Sequence, residues 1–438
     1  MWWAASAVPA ASEPAPRIEI AGDWRVRVTP GTLRVGRRTI RVTRECLLDA
    51  QPPALARVRD ERIDALPAYN AAAPGWTRGA RLRAVVTSET TGPGLLDPSS
   101  LRVKSGPGEA PELVKGRDFE ADTTWGTIGG LAGGAVGRTV WVDYDAGLHR
   151  IDSVLVTNSG EVRLRRGQPH NATPRAPEPA PGETLLGNIW VAARIPRLTP
   201  DHLYPIVETG ARQRPAGRAV AERLLPMTWR KLQAGEEVHV LAWGDSVTAG
   251  GEASDEAHRW QNRFVTLLAR RFPRARIRLT TAGWGGRNSD SFLNEPPGAE
   301  FNFERAVLEP RPDLVAMEFV NDAWMTPDVV EERYSKLLAR FREIGAEWVI
   351  LTPHYVWPEW MGVKTARIEE DPRPYVKGVR EFCARHSVAL ADASREWGRL
   401  ARRGIPYPTL LVNSLNHPDD RGHEIFAQTL MDLFGGAR

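Results

Sequence analysis

The sequence predicts two domains: an antiparallel, β-sandwich-like domain, then a three-layer α/β domain built on a parallel sheet. Three observations carry this. The 438 residues exceed what one hydrophobic core ordinarily serves. Short segments alternating apolar and polar residues fill the first part, separated by Gly, Pro, Asn and Asp clusters. From residue 236 the pattern changes to compact apolar runs spaced by stretches of helical period.

Residues 1–16, rich in Ala and Pro, read as an untethered tail. They lack a basic leader and a long apolar run, so the compartment stays open between cytoplasm and export. The β-rich domain spans 17–170. Its strands are expected at 24–28 (WRVRV), 39–44 (TIRVTR), 81–88 (RLRAVVTS), 100–105 (SLRVKS), 139–145 (TVWVDYD), 152–157 (DSVLVT) and 161–165 (EVRLR). Their period of two leaves one face wet. The glycines of 129–137 (GGLAGGAVG) read as a loop or hairpin connection and lack the spacing that cradles phosphate.

A connecting segment covers 171–235. The proline-dense stretch 168–184 predicts extended chain, 188–196 (NIWVAARIP) returns to strand character, and 217–235 reads as a helix in which Pro226 makes a kink or a new start. The second domain, 236–438, alternates strands at 238–243, 275–282, 313–320, 347–353 and 387–393 with helices at 258–272, 328–345, 373–386 and 420–434. That alternation predicts a parallel sheet covered on both faces, with a site at the carboxyl ends of its strands.

Composition narrows the chemistry. A net charge of +4, from 58 basic and 54 acidic side chains, calls for no nucleic-acid partner, and the basic run at 270–278 reads as a solvated face. No apolar run approaches the roughly 18 residues of a membrane span. Cys46 and Cys383 make neither a disulfide framework nor a zinc site, and the His, Asp and Cys spacings imply no metal. No organic cofactor is implied, and the sequence assigns no oligomeric state.

The chemistry concentrates in VHVLAWGDSVTAGG, 238–251, which sets Ser246 after a strand and among glycines that permit a sharp turn. A serine there suits a nucleophile, provided a base and oxyanion donors converge on it. The segment resembles the first block of the SGNH, or GDSL-like, hydrolase superfamily. GDSVTAG (244–250) supplies Ser246; TAGWGGRNSD (281–290) resembles the glycine block; FVND (319–322) resembles the block that carries an oxyanion asparagine; NHPDDRGH (416–423) resembles the histidine block. The resemblance implies Ser246 as nucleophile and His417 as base. It implies an oxyanion hole made by the Ser246 N–H, Gly286 and the Asn321 amide, with Gly283 as a turn residue and His423 opening the final helix. No cofactor enters that scheme.

The chain also departs from the pattern. Ser414 stands where the family carries an Asp three residues before the base, Phe319 replaces a Gly and Thr281 an Asn. The third member is therefore open: a Ser-His dyad with Ser414 in the acid position, a backbone carbonyl, or an acid such as Asp419 or Asp420. Trp243, Trp284, Trp324, Trp357 and Trp360, with His354, fall near the crevice loops and are candidates for lining it. The resemblance implies a carboxylic ester hydrolase, with a carbohydrate O-acetyl or similar small ester as substrate. A lipid esterase or thioesterase is the second reading. A non-catalytic carbohydrate-binding or scaffold protein keeping the fold is the third.

Overall fold

The computed structural model describes residues 14–208 and 218–435. The tail expected over 1–16 lies, up to residue 13, outside the described residues, as do 209–217 of the connecting segment.

The second domain is a five-stranded, wholly parallel sheet. In spatial order its strands are Arg276–Gly283, Glu237–Gly244, Leu314–Glu318, Glu347–Leu351 and Ala389–Ala391. In chain order this is 2-1-3-4-5, so the connections change direction between Glu237–Gly244 and Leu314–Glu318. A crevice opens at such a switch point, beyond the strand ends.

Alternation along Glu237–Gly244 explains the two layers around the sheet. Val238, Val240 and Ala242 face one core with Trp260, Phe264, Phe426 and Leu430, from the helices Trp260–Arg271 and Asp420–Leu433. Leu241 and Trp243 face the other, with Tyr334, Phe341, Val376 and Phe382 from the helices Pro327–Glu343 and Pro374–His386. Pro226 begins a helix, Pro226–Ala234, directly after Val220–Leu224, as its missing N–H allows at a first helical position.

The first part is antiparallel throughout its named strands and has two cores. One gathers Val26, Val28, Ile40, Val42, Val154 and Ile189; the other Val58, Leu82, Val103, Ile128, Val142 and Tyr144. Within the stretch read as connecting, Glu183–Val191 pairs with Arg150–Thr157 and with Leu203–Pro205. The strand expected over 81–88 is broken by a 3-10 turn at Arg83–Val85. Side chains have captured its donors: Arg83 N donates to Glu61 Oε1 at 3.0 Å and Ala84 N to the Tyr144 hydroxyl at 2.9 Å. The chain then forms a tight hairpin, Val86–Thr87 against Thr90–Thr91.

The two parts touch extensively. Asn188 Nδ2 donates to Gly404 O at 2.8 Å, Glu208 pairs with Arg399 and Arg403, and Trp125 meets Trp357 edge to face with ring centres 5.3 Å apart. Thr90 Oγ1 donates to Asn413 O at 2.5 Å. Among the described residues no helix is long and apolar enough to cross a membrane. Both cysteines are free thiols, Cys383 buried.

Candidate active site

Ser246 opens the one-turn helix Ser246–Ala249 directly after the strand Glu237–Gly244. Asp245 forms the turn: its carboxyl accepts from Val247 N at 3.1 Å and from Asn321 N at 2.9 Å, tying the Ser246 loop to the loop after Leu314–Glu318. Gly244 admits no side chain, since a Cβ there would strike Glu318 O at 2.1 Å. Asp245 is wholly buried, and burial, reinforced by the nearby Asp322, pushes its carboxyl up to about 7. Asp322, also buried, accepts from Ser289 N, Ser289 Oγ and the Tyr334 hydroxyl, and burial raises it to about 6. Both acids brace loops.

Ser246 and His417 meet across 171 positions of chain, with Ser246 Oγ 2.8 Å from His417 Nε2. The imidazole sits close against backbone: a Cβ on Gly251 would lie 3.3 Å from His417 Cε1 and Nδ1. The loop bearing it is wound on Asn413. Its Oδ1 accepts from the N–H groups of Leu415, Asn416 and His417 at 3.0, 2.9 and 3.0 Å. His354 Nε2 pairs with Asn416 O at 2.6 Å from below, and Trp357 N donates to Leu415 O at 2.7 Å.

The other face of the imidazole meets the β-rich domain. Glu89 Oε1 lies 2.7 Å from His417 Nδ1, close but off the axis of a hydrogen bond, and accepts from Asn413 Nδ2 at 3.1 Å. Glu252 stands nearby and accepts from Ser88 Oγ. Burial holds His417 below the ordinary imidazole value, against the upward pull of Glu89 and then Glu252. Oxygens of the two carboxylates and a ring nitrogen of His417 lie within 4.8 Å of one another, a grouping of metal-ligand type. These donors are already engaged with one another, with Ser88 and with Asn413.

The residues expected as a third member make other contacts. Ser414 has a left-handed backbone (φ 58°), and its N–H donates to Leu411 O. Asp419 caps the last helix by accepting from Arg421 N and Gly422 N, and pairs with the Arg421 guanidinium. Asp420 accepts from Ser254 N at 2.9 Å and Ser254 Oγ at 2.7 Å. Sequence reasoning missed Glu89, Asn413 and Gly251. For Glu89 the available signal was a two-residue turn between β-branched residues in VTSETT, 86–91.

On the oxyanion side, Asn321 Nδ2 donates to Arg287 O at 3.0 Å, which holds the amide beside the glycine block. Gly286 has φ of 70° and open space in its Cβ direction, whereas a Cβ on Gly285 would come within 3.9 Å of Ser246 Cβ. The Gly285–Gly286 turn therefore lies beside Ser246. Gly283 packs on the helix, with Ala249 N 2.3 Å from where its Cβ would be.

The candidate lining residues separate. Trp243 is wholly buried among Phe292, Phe303, Phe319 and Phe341, because its place in the strand turns it into the core, so it lines no crevice. His354 is equally buried, packed on Trp397 and Phe426, and supports the histidine loop from inside; burial holds it well below the usual imidazole value. Trp284 is half-buried, stacked on Phe301 at 4.7 Å and under the Arg287 guanidinium. Trp324 is exposed, with Arg333 over its ring, while Trp357 and the exposed Trp360 join Trp76 and Trp125 in a cluster across the domain junction. His423 is buried away from Ser246. Its Nδ1 accepts from Trp260 N at 3.3 Å and its Nε2 lies 3.4 Å from Gly251 O.

The profile of the GDSL-like Lipase/Acylhydrolase family matches residues 242–425. No curated protein matches the chain. Among solved structures, a two-domain esterase (CEX) active on acetylated mannans is similar at 18% identity and TM-score 0.39, over 50% of this chain and 53% of its own, so the match spans about half that protein's length. An alpha/beta hydrolase enzyme from the metagenome of Lake Arreo, Spain, is similar at 22% identity and TM-score 0.37, over 46% of this chain and 96% of its own. A mutant acetyl-xylooligosaccharide esterase from Geobacillus Stearmophilus is similar at 20% and TM-score 0.36, over 45% and 94%. The family match begins in the strand Glu237–Gly244 and ends in the last helix, so it is the C-terminal part of this chain that is similar to the GDSL-like Lipase/Acylhydrolase family, and a β-rich domain precedes it.

Proposed function

We propose that the protein is a serine esterase that passes an acyl group from an ester to water by way of Ser246, and that its substrate is a small ester such as an O-acetyl group on a carbohydrate. The observation that carries this reading is the 2.8 Å approach of Ser246 Oγ to His417 Nε2. A serine hydroxyl is a weak nucleophile at neutral pH, and an imidazole within hydrogen-bond reach removes its proton as it attacks. The carbonyl oxygen then becomes an oxyanion. Donors for it are the Ser246 N–H at the start of its helical turn, the Gly285–Gly286 turn and the Asn321 side-chain amide. His417 returns the proton to the leaving alcohol, and water, activated by the same imidazole, releases the acid. A lowered imidazole value keeps His417 unprotonated, and so free to accept the proton, at pH 7.

The rim supports a small acyl group on a polar alcohol. Glu89 and Arg287 are exposed there and Glu252 and Asn321 half-exposed, which favours a hydroxyl-bearing leaving group over a long acyl chain. A fluorophosphonate probe should label the wild-type protein and fail to label Ser246→Ala, and acetylated oligosaccharide should be hydrolysed faster than long-chain p-nitrophenyl esters. Equal labelling of both proteins overturns the nucleophile; preference for long-chain esters overturns the substrate class.

A further inference from the structure

We propose that Glu89, carried by the β-rich domain, is the positioning carboxylate for His417, so that the active site is assembled from both domains. The inference rests on the serine-esterase reading. Its first support is position: Glu89 Oε1 is 2.7 Å from His417 Nδ1, on the side of the ring opposite the Ser246 contact. The second is that the place for a carboxylate three residues before the base is filled by Ser414, while Asp419 and Asp420 are committed to the helix cap and to Ser254.

The third support is how Glu89 is held. It is the second residue of a two-residue hairpin turn in which Val86 pairs with Thr91 and Thr87 with Thr90. Ser88 takes φ of 63°, the conformation that such a short connection demands at its first position. Each strand is fastened. Asn171 Nδ2 donates to Val86 O at 2.5 Å, Thr91 Oγ1 to Trp125 O at 2.5 Å, and Thr90 Oγ1 to Asn413 O at 2.5 Å. Asn413 then gives Nδ2 to Glu89 Oε1 while its Oδ1 winds the histidine loop. One carboxamide therefore sets both the carboxylate and the ring it faces.

The chemistry comes from the two ring nitrogens. A carboxylate at Nδ1 keeps the proton there and leaves Nε2 free to accept from Ser246. When that proton moves, the imidazolium carries positive charge beside Glu89, and contacts that are poorly aligned in the free enzyme tighten at this stage. The charged and titratable groups around His417 are Glu89 and Glu252, with His354 and His423 behind it, both held uncharged at neutral pH by burial. The Glu89 side chain is 55% exposed, so solvent screens the pair and its effect falls below that of a fully buried acid.

The test uses the full chain with p-nitrophenyl acetate, comparing Glu89→Gln, Glu89→Asp and Ser246→Ala. Glu89→Gln should lower kcat roughly 10- to 100-fold, short of the roughly 10⁴-fold seen when a buried triad acid is neutralised, with KM within about twofold. Its acid limb in the pH–rate profile should move to lower pH, because a carboxylate that raises the imidazole value is gone. Glu89→Asp keeps the charge, so its acid limb should stay closer to wild type and part of kcat should return. An unchanged kcat and acid limb in Glu89→Gln, with Ser246→Ala inactive, overturns the inference alone. A fall in kcat with an unmoved limb and a lowered melting temperature also overturns it, by making Glu89 merely structural. Activity surviving in Ser246→Ala would instead overturn the serine-esterase reading.

Discussion

Replacing Asn413 by alanine isolates what holds His417 in place. Asn413 is 1% exposed, and its Oδ1 satisfies three successive backbone N–H groups at 2.9–3.0 Å. Each such bond contributes about 1 kcal/mol net, so their joint loss should cost about 3 kcal/mol, a large fraction of an ordinary domain's 5–15 kcal/mol. The loss is local at first. Urea unfolding should show a lower midpoint, and hydrogen exchange should show the amides of Leu415, Asn416 and His417 losing protection while the sheet keeps it. Activity should fall more than stability predicts, because the same substitution releases Glu89 from Asn413 Nδ2. A stability change under about 1 kcal/mol with unaltered exchange at those amides would refute the claim that Asn413 organises the loop.

The two histidines of the last block should behave oppositely: His417→Ala should remove activity by orders of magnitude at near-wild-type stability, and His423→Ala should chiefly lower the melting temperature. In the fold, burial lowers His423 to about 4 from an ordinary 6.5. The unfolded chain therefore binds the extra proton first, and stability should be lost as pH falls from 6.5 through 4. A glutamine at 423 should flatten that slope in pH-dependent melting. At the domain junction, a double-mutant cycle on Trp125 and Trp357 should return a coupling of about 0.5–1.5 kcal/mol, and zero coupling would mean that their 5.3 Å edge-to-face contact is incidental.

The fold was legible because its signals are periodic and local. Apolar runs ending at Gly244, Glu318 and Leu351 announce buried parallel strands, and Ser246 and Asn321 come just after two of those ends, so strand position alone carries them to one crevice. Neighbourhood in sequence does not give direction, however. Trp243 is three residues from Ser246 yet points into the phenylalanine core, and His354 comes just after a strand yet lies beneath the histidine loop. The break at Arg83–Val85 needed the side chains of Glu61 and Tyr144, residues far off in the chain, to take its backbone donors. Glu89 was hidden for the same reason. An exposed glutamate in a turn has no motif, and only tertiary packing sets it 2.7 Å from an imidazole more than 300 residues later.

The bonds from Thr90 to Asn413 and from Trp357 to Leu415 fasten the histidine loop on two sides, the first reaching across from the β-rich half and the second lying within the loop's own half. A hinge opening wide enough to admit a single water layer, about 3 Å, would sever the first and leave the second. The loop would then stay attached but lose its clamp, so the spacing between the halves bears directly on the His417 imidazole. Grafting this C-terminal module onto a different partner domain would therefore preserve its sheet and its serine while removing half of what keeps His417 still.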